Sequence, residues 1–121
     1  MVRSFKDLFI WQSSVDLATQ VAEITRTFPS RQRYVLVDQM LRASVSVASN
    51  IAEGAGRLSS PDYCRFLGIA RGSLHELSTH IEIAVRCRLL DKNTQSELEK
   101  KIALIGTGIN RLISRLRQKK S

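Results

Sequence analysis

The sequence predicts an all-α protein, an up-down-up-down four-helix bundle in a single domain, and three observations predict it. Apolar residues recur at steps of three and four through most of the 121 residues, as one buried stripe on a helix demands, and nowhere alternate as a strand would. The only two prolines, Pro29 and Pro61, both fall between such stretches, where helices break. Each stretch left between breaks holds about 20 to 27 residues, and the connections are short, which is the economy of an antiparallel bundle. The length suits one domain, residues 1–121, with a sizeable core and no second unit.

The first helix, about 5–28, carries Leu8, Trp11, Val15, Ala18 and Ala22, with a second row of Leu17, Val21, Ile24 and Phe28. Pro29 closes it, and "FPSRQR" forms the turn. The second helix, about 31–55, carries Val37, Leu41, Ser44, Ala48, Ile51 and Ala55, and Gly54 and Gly56 end it. The third, about 61–89, opens with Ser60 as N-cap and Pro61 in the first helical position, and carries Tyr63, Phe66, Ala70, Leu74, Leu77, Ile81 and Ala84. The fourth, about 94–118, follows a cap at Asp91 or Asn93, with Thr94 and Glu97 fitting a capping box. Its stripe is Leu98, Ile102, Ile105, Ile109, Leu112 and Leu116.

Charge points to an acidic partner. Nineteen Lys and Arg stand against eleven Asp and Glu, a formal charge of +8. Nucleic acid is the first expectation, an anionic membrane surface the second, and a merely soluble basic protein the plain alternative. Cys64 and Cys87, if both lie on the third helix, stand roughly 35 Å apart at 1.5 Å per residue and cannot bridge. A reduced, cytoplasmic setting fits them. No apolar run approaches the ~20 residues of a membrane span, and the charges inside "MVRSFKDLFIWQ" do not suit a signal peptide.

The stretch "SVSVASNIAEGAGR", residues 44–57, is unusual for a surface. Opposite its apolar stripe lie Gln39, Arg42, Ser46, Asn50, Glu53 and Arg57, mostly short residues flanked by Ala43 and Val47. The third helix has a similar second stripe of Arg65, Ile69, Gly72, Glu76, His80, Ile83 and Cys87, and Gly68 and Gly72 leave a patch without side chains. Glycine within a helix costs about 1 kcal/mol against alanine, which close helix contact can offset. Leu104 and Gly108 repeat the hint on the polar side of the fourth helix. Self-association is the expectation, and a wide intramolecular core is the alternative. Buried together, Arg42, Asn50, Glu53 and Glu76 need pairing, with Arg42 or Arg57 neutralising the glutamates.

"LFIWQSSVDLA", "SVSVASNIAEGAGR" and "FLGIARGSLHEL" resemble the bacterial four-helix-bundle proteins encoded within intervening sequences of 23S ribosomal RNA genes. The accessory variability proteins of diversity-generating retroelements are similar to these. The resemblance covers nearly the whole chain. It implies a basic bundle assembled as a ring-shaped homopentamer, and, from the retroelement relatives, binding of nucleic acid and of a reverse transcriptase. The motif positions map onto Trp11, Arg42, Ser46, Asn50, Glu53, Gly54, Arg57, Gly72, Ser73 and Glu76. In "SRQRYVLVDQM" an acidic residue common in the family before the aromatic is missing.

No catalytic, metal or cofactor site is expected. Glu53 and Glu76 form an acid–base pair only if their helices face each other. His75 and His80, five apart, do not share a helix face, and Gly54–Arg57 lacks the lysine and spacing of a phosphate loop. Arg111, Arg115 and Lys119 form a basic ridge that Arg117 and Lys120 extend, while Arg86 and Arg88 close the third helix. Such ridges bind phosphates without reading sequence. There is no RNA-binding sheet signature and no surface pair of aromatics for stacking. The leading expectation is a non-enzymatic, homo-oligomeric binder of nucleic-acid backbone, or a nucleoprotein scaffold. A protein–protein adaptor and a small enzyme using Glu53 and Glu76 are the alternatives.

Overall fold

The computed structural model describes residues 4–118. A 3-10 turn (Phe5–Asp7) precedes α1 (Phe9–Thr25). A second 3-10 turn (Ser30–Gln32) and a π-helical turn (Arg33–Val37) lead into α2 (Asp38–Ala55), followed by α3 (Ser60–Arg86) and α4 (Lys92–Gln118). Successive helices run antiparallel. Gly54 lies against Phe66 while Ser46 meets Ser73, and Arg71 meets Asn110 while Glu82 meets Gln95. The result is a four-helix bundle, with no strand among the described residues.

The breaks follow local chemistry. Leu8 is extended, with φ −74° and ψ 129°, so the first helix starts at Phe9 and not near residue 5. Ahead of it the short turn is capped by Ser4, whose Oγ accepts from the Lys6 N–H at 3.1 Å. Phe5 then meets Trp11 edge-on, ring centroids 5.3 Å apart. At α3, the cap is Ser59, whose Oγ accepts from the Asp62 N–H at 3.3 Å, so the helix begins one residue earlier than expected, with Pro61 in its first turn. Asp91 caps α4 by accepting from the Thr94 N–H at 2.7 Å. The C-terminus of α3 closes with Leu89 N–H donating to the Ala84 carbonyl and Arg88 N–H to that of Val85. This paired closure puts Arg88 at φ 63°, the left-handed position that glycine usually fills.

The core stripes of α3 and α4 are those expected through their middles, while at the ends Leu67 and Ile113 are buried and Tyr63, Phe66, Leu112 and Leu116 only half-buried. Ala70, Leu74, Leu77, Ile81 and Ala84 are buried, as are Leu98, Ile102, Ile105 and Ile109. Those of α1 and α2 are rotated. In α1 the second row is the core, with Leu17 and Val21 fully buried, whereas Val15 and Ala22 are exposed. Ser14 and Thr25 join the core because their hydroxyls donate to the carbonyls of Ile10 and Val21 in their own helix, which leaves little polarity to bury. In α2 the centre is Met40, Ala43, Val47, Ile51 and Gly54, while Val37, Leu41, Ala48 and Ala55 flank it half-buried. Gly108 faces α1 and not the polar side: a Cβ there would run into Ile10.

Small residues set how closely α2 and α3 approach. A Cβ on Gly54 would lie 2.9 Å from Tyr63 Cδ1, 3.0 Å from Phe66 Cβ and 3.1 Å from the Tyr63 carbonyl oxygen. The last is backbone and cannot rotate aside. Gly54→Ala is therefore expected to destabilise the fold by about 1–3 kcal/mol, as overpacking does. Gly108→Ala should cost at least as much, because the atom it meets is Cγ2 of Ile10, a buried β-branched side chain with one strongly preferred rotamer in a helix. Urea unfolding midpoints of the two variants check the order.

Candidate nucleic-acid interface and helix seam

The "NIAEGAGR" segment builds the α2–α3 corner. Glu53 lies in the last turn of α2 and Arg57 just past its Gly56 cap, and Arg57 Nη2 donates to Glu53 Oε2 at 2.7 Å. Arg57 also lies 3.6 Å from Asp62 of α3, which pairs in turn with Arg65 at 3.0 Å. Both guanidiniums sit over the Phe66 ring, 4.5 and 4.4 Å from its centroid. Each such stack contributes about 0.5–1 kcal/mol where exposed. One turn further, Asn50 donates to the Ser46 carbonyl at 2.9 Å and to its Oγ at 3.0 Å, and Ser46 Oγ meets Ser73 Oγ at 2.9 Å. Ser46, Asn50, Glu53, Gly54, Arg57 and Ser73 thus share one intramolecular seam. The expected four-membered cluster with Arg42 and Glu76 does not form, because both of those are exposed.

Within one chain Glu53 and Glu76 do not face each other. Gly54 is level with Phe66, so Glu76 stands ten residues up α3, about 15 Å of helical rise from Glu53. Among the described residues, no group of three His, Cys, Asp or Glu converges as a metal site would. No helix there is long and apolar enough to cross a membrane.

The outer face of α3 is bare. Nothing lies within 4 Å of a Cβ built on Gly68 or Gly72. Ile69 beside them is 43% exposed; Ile83, about 16 Å beyond Gly72 along α3, is 45% exposed and Val45 on α2 52%.

The predicted basic residues fall into separate groups. Arg111 and Arg115 stand with Thr107, Asn110 and Ser114 on one face of α4, along a shallow, wide-open groove of about 720 Å³. Arg71 of α3, which the sequence reading missed, reaches the same place and donates to Asn110 Oδ1 at 2.7 Å. Neither Arg111 nor Arg115 has an ion pair among the described residues. Arg117 turns toward the start of α3, beside Ser60, Pro61 and Cys64. Arg86 and Arg88 stand at the other end of the bundle. From Arg71 to Arg86 there are fifteen residues of α3, roughly 22 Å of rise. Lys119 and Lys120 lie outside the described residues.

Two carboxylates at that far end are held below their usual range. Glu82 accepts from Arg86 at 2.9 Å and from Gln95 at 2.6 Å, and these hydrogen bonds stabilise its charged form. Asp91 is lowered by hydrogen bonding at Thr94, from the backbone first. At mid-bundle Ser78 donates to Glu99 at 2.7 Å and completes the polar tie between α3 and α4.

Fold and surface together define a small, basic four-helix-bundle protein. The family of 23S rRNA-intervening sequence proteins matches residues 6–111, and the chain belongs to that family. A crystal structure of a protein with unknown function from the S23 ribosomal protein family, from Bacteroides thetaiotaomicron, is similar in fold. It superposes with a TM-score of 0.80 at 20% identity, over 87% of this chain and 95% of that one. No curated protein matches the chain.

Acid should loosen the α3–α4 end first. A carboxylate with a lowered folded-state pKa favours the fold above its unfolded value, 4.5 for Glu82 and 3.8 for Asp91, and loses that contribution as pH falls through the folded value. Melting temperature is expected to stay level between about pH 7 and 5 and to fall below about pH 4. Glu82→Gln should show a smaller acid drop than the native chain in the same thermal scans.

Proposed function

We propose that this protein is a non-enzymatic, homo-oligomeric bundle that binds nucleic-acid backbone through the α4 groove. The observation that carries this reading is the grouping of Arg71, Arg111 and Arg115 around Thr107, Asn110 and Ser114, with no carboxylate in the lining. Guanidiniums hold phosphate oxygens in bidentate pairs, and hydroxyl and amide groups add neutral donors. A groove of this kind positions a strand without reading its bases. Each added copy contributes a further +8 of formal charge, which strengthens the attraction.

The bare face around Gly68, Ile69 and Gly72 supports assembly. Two helical glycines with empty space above them are a cost that a second helix, packed closely there, would offset. The resemblance gives five as the number of copies.

Affinity for a structured RNA should fall by orders of magnitude between ~50 and ~200 mM salt, as counterion release requires. Changing both Arg111→Glu and Arg115→Glu should abolish binding of a fully paired RNA duplex with the helical circular dichroism intact. A flat salt response, or binding retained in the double variant, removes the groove from the reading. For assembly, light scattering should give a mass several times that of one chain, and Gly72→Arg should reduce it to a single chain. A native protein of single-chain mass overturns the oligomer.

A further inference from the structure

The α1–α2 connection lies at the end of the bundle opposite the α2–α3 corner, the end shared with the α3–α4 connection. Its backbone is unusual. A 3-10 turn runs directly into a π-helical turn, closed by the Asp38 N–H donating to the Arg33 carbonyl. Single π turns inside helices often mark functional sites. This one buries Leu36 and turns its neighbours outward: Tyr34 is 79% exposed and Val35 72%. Among the described residues neither another ring nor a guanidinium stacks on Tyr34. Arg31 and Arg33 flank it without an ion pair among the described residues. On the side of this connection that faces α1, Arg33, Val37 and Leu41 line a mixed polar and apolar groove of about 420 Å³ with Thr25, Arg26, Phe28, Pro29 and Ser30, which Tyr34 does not line.

Arg88 stands at the same end. Its left-handed backbone is strained for any residue with a Cβ, yet an arginine occupies it, and its guanidinium has no ion pair among the described residues. An exposed aromatic ring with guanidiniums free of ion pairs next to it in the chain, and a further one at the same end of the bundle, are the parts of a single-strand platform. An unpaired base stacks on the ring while cations hold the adjoining phosphates. A duplex keeps its base faces covered and cannot use Tyr34. An acidic peptide would use the cations and leave the ring idle.

We propose that this end of the bundle binds a single-stranded nucleic-acid segment, one unpaired base stacking on Tyr34 with its flanking phosphates held by Arg31, Arg33 and Arg88. The inference rests on the reading of the protein as a backbone binder, but uses a surface apart from the α4 groove. The groove takes any strand, whereas the Tyr34 end takes only an unpaired one.

The test is fluorescence anisotropy with the full chain, using a labelled oligouridine 12-mer and an RNA duplex of equal length. Tyr34→Ala is expected to weaken oligouridine binding by about 5- to 100-fold, the range of one lost stack, and to leave duplex binding within about twofold. Tyr34→Phe should bind like the native chain. Arg88→Gly should bind oligouridine more weakly yet melt at a higher temperature, separating the loss of the cation from loss of the fold. The proposal is overturned if Tyr34→Ala leaves oligouridine binding unchanged, weakens both probes equally, or is matched by Tyr34→Phe. Displacement of oligouridine by polyglutamate as readily as by unlabelled strand also overturns it. Binding of neither probe by the native chain sinks the backbone reading along with it. If the Arg111→Glu, Arg115→Glu chain still binds both probes while Tyr34→Ala keeps its selective effect, the α4 groove falls and the Tyr34 site stands.

Discussion

The distance between α2 and α3 governs what the rest of the molecule can do. At Gly54 it leaves no room for a Cβ, and at Ser46 and Ser73 it brings two hydroxyls together at 2.9 Å. With leucines at these positions the helices would stand further apart. Arg57 could then not span from Glu53 to Asp62, and Phe66 would lose the two guanidiniums stacked over it. The close seam also settles which side of α3 is left over. With Ala70, Leu74 and Leu77 turned inward, Gly68, Ile69 and Gly72 are turned away from the core.

The surplus charge is unevenly spent. Several carboxylates are taken up by an arginine three or four residues further along the chain: Glu23 by Arg26, Glu53 by Arg57, Asp62 by Arg65 and Glu82 by Arg86. Exposed pairs of this sort add little stability, a few tenths of a kcal/mol to about 1 kcal/mol. Their larger effect is on the field: they cancel charge locally. The excess of positive charge is thereby concentrated at positions such as Arg111 and Arg115 on α4 and Arg31, Arg33 and Arg88 at the turn end. A protein with the same composition and more even pairing would present a diffuse positive surface.

How much could be read in advance depends on side-chain size. The middles of the α3 and α4 stripes carry Leu74, Leu77, Ile81, Leu98, Ile102, Ile105 and Ile109 at steps of three and four, and each of these loses so much by exposure that the buried side is unambiguous. In α1 and α2 the signal is weak. Ser14, Thr25, Ala43, Ser44 and Gly54 are core residues with little or no apolar bulk, so the periodicity of larger neighbours such as Val15 and Leu41 misdirects the stripe by about one residue. The groups in "SVSVASNIAEGAGR" were recognisable as belonging together, and the seam does join Ser46, Asn50, Glu53 and Arg57 locally. Arg71 was not recognisable as part of the α4 groove, because its place there depends on Asn110, 39 residues away.

The sequence by itself determined the helical class, the number of rods, the breaks at Pro29, Gly56 and Pro61, and the positive charge. All of these follow from interactions within a few residues: periodic burial along one helix, ring constraints, capping and simple counting. Only the tertiary structure decided which basic residues act together. Arg86 and Arg111 have the same chemistry and sit on neighbouring helices, yet the antiparallel pairing of α3 with α4 sends them toward opposite ends of the bundle. Likewise it took the π-helical entry into α2 to turn Tyr34 outward. Its neighbours in the chain say nothing of that, since exposure depends on what the other helices leave uncovered.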